Sequence, residues 1–160
     1  MRIRAATRED AATLAALIRC ANAPVAVRVG LSAQKTPKHP SNCTADWIMT
    51  DMDRGVVYFL ALRAGDAVGC VGFEAAADRV CYMERLAVIP ARQCGGIGSA
   101  LVDFFMDHAR EQGMSAVGIG IIAENGALRG WYEHRGFTLT GTRVFDHLPF
   151  TVAFLRRPVE

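Results

Sequence analysis

Apolar residues recur with two different periods along the chain, and these periods predict an alternation of strands and helices. Short apolar runs of the strand type occupy residues 2–6, 56–63, 67–75, 80–89, 116–122, 137–144 and 150–155. Apolar residues at helical spacing occupy residues 11–21, 45–54, 97–112 and 125–135. Turn residues at 64–66 and 78–79 separate three consecutive strands, which are therefore expected to form an antiparallel meander.

Capping, proline and glycine residues predict where the helices begin and end. The first helix is expected to follow the capping box Thr7–Asp10 and to end before Pro24. Residues 25–44 show no regular period, and a loop of this length in a compact domain is usually functional or mobile. Gly113 and Gly136 are expected to end the last two helices.

Residues 84–101 join the fourth strand to the third helix through a glycine-rich loop. Pro90 ends the strand, and glycines at 95, 96 and 98 precede the helix. Glycine lets the backbone approach a ligand closely, and the first turn of a helix offers unpaired N–H groups at the positive end of its dipole. This pattern predicts that the loop binds a phosphorylated ligand. A dinucleotide fingerprint would need a glycine where Leu101 stands, and the chain has no Gly-Lys-Ser/Thr triplet of a P-loop.

The glycine loop resembles the acyl-CoA motif Arg/Gln-x-x-Gly-x-Gly/Ala of the GNAT superfamily of N-acetyltransferases, with Gln93, Gly96 and Gly98 at the defined positions. Taken alone, the loop also fits a tight strand-to-helix turn that needs small residues. A second motif resembles the end of the same family: Asn125, then Leu128-x-x-Trp131-Tyr132-Glu133-His134-x-Gly136-Phe137. The order of predicted elements is likewise the GNAT order. We therefore identify the chain as resembling a GNAT over nearly its whole length.

This resemblance implies one GNAT-like domain over residues 1–160, of α/β (α+β) class. Its sheet would be mixed, mostly antiparallel, with about seven strands flanked by about four helices. The implied activity is transfer of the acetyl group of acetyl-CoA to a primary amine by direct attack in a ternary complex, without a metal. The residues implied in acetyl-CoA binding are Leu86, Ala87, Val88, Arg92, Gln93, Cys94, Gly95, Gly96, Ile97, Gly98, Ser99 and Asn125.

Two residues are implied in catalysis by their positions in these motifs. Tyr132 matches the tyrosine that protonates the CoA thiolate; the alternative is a tyrosine that only packs beneath the last strands. Glu84 is the candidate base, acting through water, because an alkylammonium must lose a proton before it attacks. The alternative for Glu84 is an ion pair with Arg79 or Arg85, and His134 and His147 are alternative bases. Asn125 would hold the pantetheine arm or cap a helix, and Arg92 would reach a phosphate or lie in solvent.

Composition narrows the classes of protein and partner. The formal net charge is +2, which favours neither nucleic acid nor an anionic membrane as a partner. The sequence has no run of 18 apolar residues and starts without a secretory signal. Five cysteines without a C-x-x-C spacing favour a reducing cytoplasm, and Cys20, Cys70 and Cys81 are expected in the core. His39 and Cys43 are too few to indicate a metal site.

The acceptor is left open as an amine on a small molecule or a peptide, and the oligomeric state is left open with a homodimer among the alternatives. By resemblance, residues 24–47 and 143–150 would build the acceptor site. They carry side chains of both signs, namely Lys35, Lys38, His39, Asp46, Asp146 and His147. A second hypothesis is a domain that binds acyl-CoA as a sensor without turnover, and a nucleotide-dependent oxidoreductase is disfavoured by Leu101.

Overall fold

A computed structural model of the protein describes residues 1–32, 34 and 36–160. The strands are β1 (Arg2–Ala5), β2 (Val57–Arg63), β3 (Asp66–Ala75), β4 (Val80–Val88), β5 (Ala116–Ile122), β6 (Thr138–Val144) and β7 (Thr151–Pro158). The helices are α1 (Ala11–Arg28), α2 (Ala45–Asp53), α3 (Ile97–Glu111) and α4 (Gly126–Glu133). Lys35, named above in the acceptor segment, lies outside the described residues.

The strands form one seven-stranded sheet in the order β1-β2-β3-β4-β5-β7-β6. Neighbouring strands are antiparallel except β4 and β5, which run parallel. Leu14 and Ile18 of α1 pack with Tyr58 in the core on one face of the sheet. Leu101 and Phe105 of α3 belong to the core on the other face. The expected fold class, the mostly antiparallel sheet and the β2–β3–β4 meander are confirmed.

The first helix differs from its expected end. α1 continues through Pro24 to Arg28. A proline inside a helix removes one backbone hydrogen bond, here the one to the carbonyl of Cys20, four residues earlier. Cys20 is exposed, so water can reach this turn; its expected place in the core is therefore wrong, whereas Cys70 and Cys81 are buried.

The stretch Arg8–Arg28 has the length and mean hydropathy, 1.2, of a candidate membrane span. The core helix of a globular domain passes the same test. Leu14, Leu17 and Ile18 of this helix are buried against the sheet and α2, so packing within the domain accounts for their apolar character.

Candidate active site

The parallel strands β4 and β5 separate halfway along their length. They pair only from Val80 to Tyr82 on β4 and from Ala116 to Gly118 on β5. Beyond this point β4 keeps β3 as its partner, and β5 keeps β7. A cavity of about 510 Å³ opens between the two strands. Because β4 continues to Val88, its backbone groups on this side line a gap instead of pairing with β5.

A β-bulge in β4 lies beside this gap. Cys70 pairs with Ala87 and Gly72 with Glu84, so β4 holds one more residue than β3 across this interval. Arg85, in the bulge, has a φ of 50°, in the left-handed region. A bulge reverses the alternation of side chains along a strand. It therefore lets Glu84 and Ala87 both face the α1 side of the sheet.

A network of polar side chains contacts the bulge through Arg85. The Tyr58 hydroxyl donates to Asp51 Oδ2 at 2.5 Å, and Arg85 Nε donates to the same oxygen at 3.2 Å. Asp51 is buried and comes from α2, so this helix is bonded directly to the bulge. The Arg85 guanidinium carbon also lies 5.4 Å from the centre of the Trp47 ring. Sequence reasoning missed this network, since an aspartate in a half-exposed helix gives no sign of its partner.

The glycine loop follows β4 as expected. Residues 91–96 are exposed, and Gly96 takes a φ of 83° as the N-cap of α3. The amide of Gln93 donates to the Val88 carbonyl at 3.0 Å, so this side chain braces the loop against the end of β4. The N–H groups of the first turn of α3 have no carbonyl partner within the helix. The loop thus presents backbone donors and a helix N-terminus to solvent, as an anion site requires.

The start of α3 is also in contact with α4. A Cβ at Gly98 would lie 3.2 Å from Trp131 Cζ2, so glycine permits this close approach. Arg135 donates to the Ser99 hydroxyl, and its guanidinium carbon lies 3.7 Å from the centre of the Trp131 ring. Ser99 and Trp131, chosen from two separate motifs, are thereby brought together. Arg92 is exposed, in the short turn Pro90–Arg92 before the loop.

Tyr132 of α4 and Asn125, the N-cap residue of that helix, both line the cavity. Asn125 Oδ1 accepts from the Leu128 N–H at 3.1 Å, so it caps the helix, one of the two roles expected for it. Tyr132 is buried, and its ring packs edge-on against Trp131 at 4.9 Å and against Phe137 at 5.4 Å. Its hydroxyl forms no hydrogen bond with any side chain or backbone group in the described part of the chain. Burial raises the pKa of this phenol, so Tyr132 stays protonated at neutral pH.

Glu84 lines the same cavity from β4 and is half-buried. Burial is the largest cause that raises its pKa to about 7; a hydrogen bond to Glu74 and the charge of Glu74 add to it, against Arg85 and Arg54. Arg54, just after α2, pairs with Glu74 and also with Asp51 at 3.0 Å. In the described structure neither Arg79 nor Arg85 forms an ion pair with Glu84. Arg79 donates to the Gly113 carbonyl, and Arg85 pairs with Asp51.

The histidines lie elsewhere than expected for bases. His134 and His147 are exposed, and neither is among the described residues that line the cavity. His39 does line it; its Nδ1 lies 2.8 Å from Ser41 Oγ, and burial lowers its pKa. No group of three or more His, Cys, Asp or Glu residues that could hold a metal occurs within the described ranges.

The fold is an α/β domain in which a glycine loop follows β4 and a cleft opens where β4 and β5 separate. A sequence model described as the acetyltransferase (GNAT) family matches residues 26–137. This chain belongs to the GNAT acetyltransferase family. A search of curated proteins found no match.

Solved structures of GNAT proteins share this fold. The PaiA N-acetyltransferase from Thermoplasma acidophilum, in complex with coenzyme A, has a TM-score of 0.81 at 14% identity, with 98% of each chain covered. YncA from Salmonella typhimurium, a putative acetyltransferase with its cofactor acetyl-CoA, has a TM-score of 0.72 at 20% identity, covering 100% of this chain and 94% of that one. A ribosomal-protein-alanine N-acetyltransferase from Brucella melitensis has a TM-score of 0.72 at 22% identity, with 99% of each chain covered.

Proposed function

We propose that this protein is an N-acetyltransferase that moves the acetyl group of acetyl-CoA to a primary amine in the cleft between β4 and β5. The observation that carries the proposal is that β4 loses β5 as a partner after Tyr82 yet continues to Val88, directly before the glycine loop. An extended pantetheine arm can pair with the edge of β4 that faces the gap, as an added strand would. In relatives of the same fold, acetyl-CoA or CoA is the bound ligand.

In this proposal the ligand spans the residues selected from the sequence. The pyrophosphate binds the loop from Arg92 to Ser99 and the N-terminus of α3. The pantetheine arm pairs with the backbone of Leu86, Ala87 and Val88, and Asn125 borders it from the opposite side. The amide NH₂ of Asn125 supports this placement, because among the described residues only its Oδ1 is engaged, in the helix cap.

The reaction joins the acceptor nitrogen to the thioester carbon and breaks the bond from that carbon to sulfur. A backbone N–H of β4 stabilises the oxyanion that forms on the carbonyl. Glu84, as carboxylate, takes the proton from the amine through water, and Tyr132 gives its proton to the leaving sulfur. The presence of both groups on the walls of one cavity supports this division of roles. Much of the acceleration comes from holding the two substrates side by side.

The sensor alternative requires the same binding but no turnover. An unpaired phenol and a carboxyl group of pKa about 7 beside the gap favour the enzyme, because a sensor needs neither. We further propose that residues 1–160 act as one domain, without a metal, in the cytoplasm, where the five free cysteines would stay reduced.

Two measurements on one preparation test the proposal. Calorimetry with acetyl-CoA, ATP and NADH should show binding of acetyl-CoA alone. Thiol release from acetyl-CoA should then occur only when an amine is added. Absence of acetyl-CoA binding at millimolar ligand would refute the proposal, and binding without thiol release across a broad panel of small amines and peptides would favour the sensor.

A further inference from the structure

The outer part of the cavity has an aromatic wall. Tyr82 on β4 and Phe154 on β7 line it, and they are 43% and 38% exposed. β4 and β7 flank β5 on either side, so these rings border one cleft on the same face of the sheet, and grouped exposed apolar side chains mark ligand-binding grooves. Phe150, just before β7, lines the same part of the cavity.

Two glycines of β5 form the floor between these rings. A Cβ at Gly118 would lie 2.9 Å from Tyr82 Cε1, so glycine is what lets the tyrosine ring lie on the strand. A Cβ at Gly120 would lie 3.6 Å from Phe154 Cε1 and from Val152 Cγ1, which is ordinary contact. Gly120 is exposed and its backbone would accept a side chain, so the space above this residue is not filled by the protein.

The charges around the cavity are few and unevenly placed. Among the described residues that line it, Glu84 is the one carboxylate. Of the basic residues there, Arg85 is paired with Asp51, and burial lowers the pKa of His39 and so favours its neutral form. The described lining of the cavity therefore offers an ammonium group one acidic partner, Glu84, and mainly aromatic and aliphatic side chains elsewhere.

We propose that the acceptor is a primary amine on an arylalkyl body, held with its nitrogen toward Glu84 and its aromatic ring over Gly120 beside Tyr82 and Phe154. This inference rests on the proposed function and names the substrate class of the same site. A polyamine would bring a second ammonium group, for which the described lining residues offer no second carboxylate. A free amino acid would bring its own carboxylate beside Glu84.

The test compares three amines, with kcat/KM calculated on the concentration of unprotonated primary amine so that differences in basicity are removed. Thiol release from acetyl-CoA is measured with 2-phenylethylamine, butylamine and spermidine. For the wild type, kcat/KM for 2-phenylethylamine should exceed that for butylamine by about tenfold, since a ring fills the apolar floor that a short alkyl chain leaves empty. Spermidine should be the poorest of the three.

Variants of the wall and floor locate the effect. Phe154→Ala removes one ring, and Gly120→Val fills the floor; each should lower kcat/KM for 2-phenylethylamine about tenfold and change that for butylamine by less than about twofold. Leu139→Ala is the matched control, because Leu139 is 37% exposed on β6 and does not line the cavity. It should change neither value.

Calorimetry with acetyl-CoA on each protein separates the two proposals. A wild type that does not bind acetyl-CoA refutes the proposed function itself. A wild type that binds it but prefers butylamine or spermidine, or uses no arylalkyl amine, overturns this inference alone. Equal losses for both monoamines in Phe154→Ala and Gly120→Val also overturn it, since the rings would then not select the acceptor.

Discussion

Glu84 on β4 and Glu74 on β3 lie diagonally opposite each other on neighbouring strands, and Glu74 raises the pKa of Glu84 beyond the effect of burial. Their strands are antiparallel, and the pairing of Gly72 with Glu84 sets Glu74 diagonally across from Glu84. Arg54 pairs with Glu74, and its positive charge acts against the rise in the pKa of Glu84. With a pKa of about 7, Glu84 gains or loses its proton near neutral pH.

The pH dependence of kcat/KM should reflect the pKa of Glu84 and its dependence on Glu74. Because a base must be deprotonated, kcat/KM should rise with pH through about 7, the raised pKa of Glu84. Glu74→Gln removes the neighbouring charge and frees Arg54, and both changes lower the pKa of Glu84. The acidic limb of the profile should therefore move to lower pH. Steady-state rates at fixed saturating acetyl-CoA across pH 5.5 to 9 check this.

Two further variants make that experiment decisive. Asp107→Asn breaks an exposed ion pair with Arg110 on α3 and should leave the limb in place. Glu84→Gln should lower kcat/KM at neutral pH by about 10²-fold and remove the limb, with recovery at high pH as free amine accumulates. Wild-type rates in Glu84→Gln over the whole range would assign the base elsewhere, with His39 the one histidine among the described cavity-lining residues.

Tyr132→Phe tests the proposed acid with little structural change. The hydroxyl makes no hydrogen bond within the described structure, and the ring contacts with Trp131 and Phe137 are kept by phenylalanine. The melting temperature and the acetyl-CoA Kd should barely move, while kcat should fall by about 10²-fold. An unchanged kcat, with the chemical step shown to limit the rate, would leave Tyr132 with a packing role only.

The periodicity of apolar residues was sufficient to predict most strands and helices, because each of these elements buries one regular face. β5 and α2 lie where their apolar residues predict them. The end of α1 could not be predicted, because the tolerance of Pro24 depends on water reaching the turn around Cys20. Local pattern finds a helix but does not say which interruptions tertiary structure allows.

The candidate site was predictable only where it depends on local motifs. The glycine loop and Tyr132 were selected from the sequence because they match two short motifs of the GNAT family. The bond from Arg85 to Asp51 joins residues 34 positions apart, and Glu74 becomes a partner of Glu84 only through strand register. A one-residue bulge sets that register, and the amino-acid composition of β4 does not predict the bulge.

Gly98→Val should weaken acetyl-CoA binding by at least about tenfold. The added side chain points at Trp131, which lies 3.2 Å from where its Cβ would be, so it displaces α4 from the glycine loop. Gly130→Ala is the matched control: its Cβ meets nothing within 4 Å, and it should stabilise α4 by about 0.5–1 kcal/mol. Calorimetry with acetyl-CoA and thermal melts of both variants measure these effects. A Gly98→Val protein with wild-type affinity would remove the loop from the binding site.

Asp51→Ala should destabilise the protein by about 3 kcal/mol, because it leaves Arg85 and the Tyr58 hydroxyl without their shared acceptor in a largely buried place. Asp53→Ala on the same helix should cost less than about 0.5 kcal/mol, since its ion pair with Arg8 is exposed. Urea unfolding of both variants gives the comparison. If the network also holds the β4 bulge in place, Asp51→Ala should lower kcat even under conditions where it is fully folded, because Glu84 adjoins Arg85. A folded Asp51→Ala protein with wild-type kcat would show that the network supports stability alone.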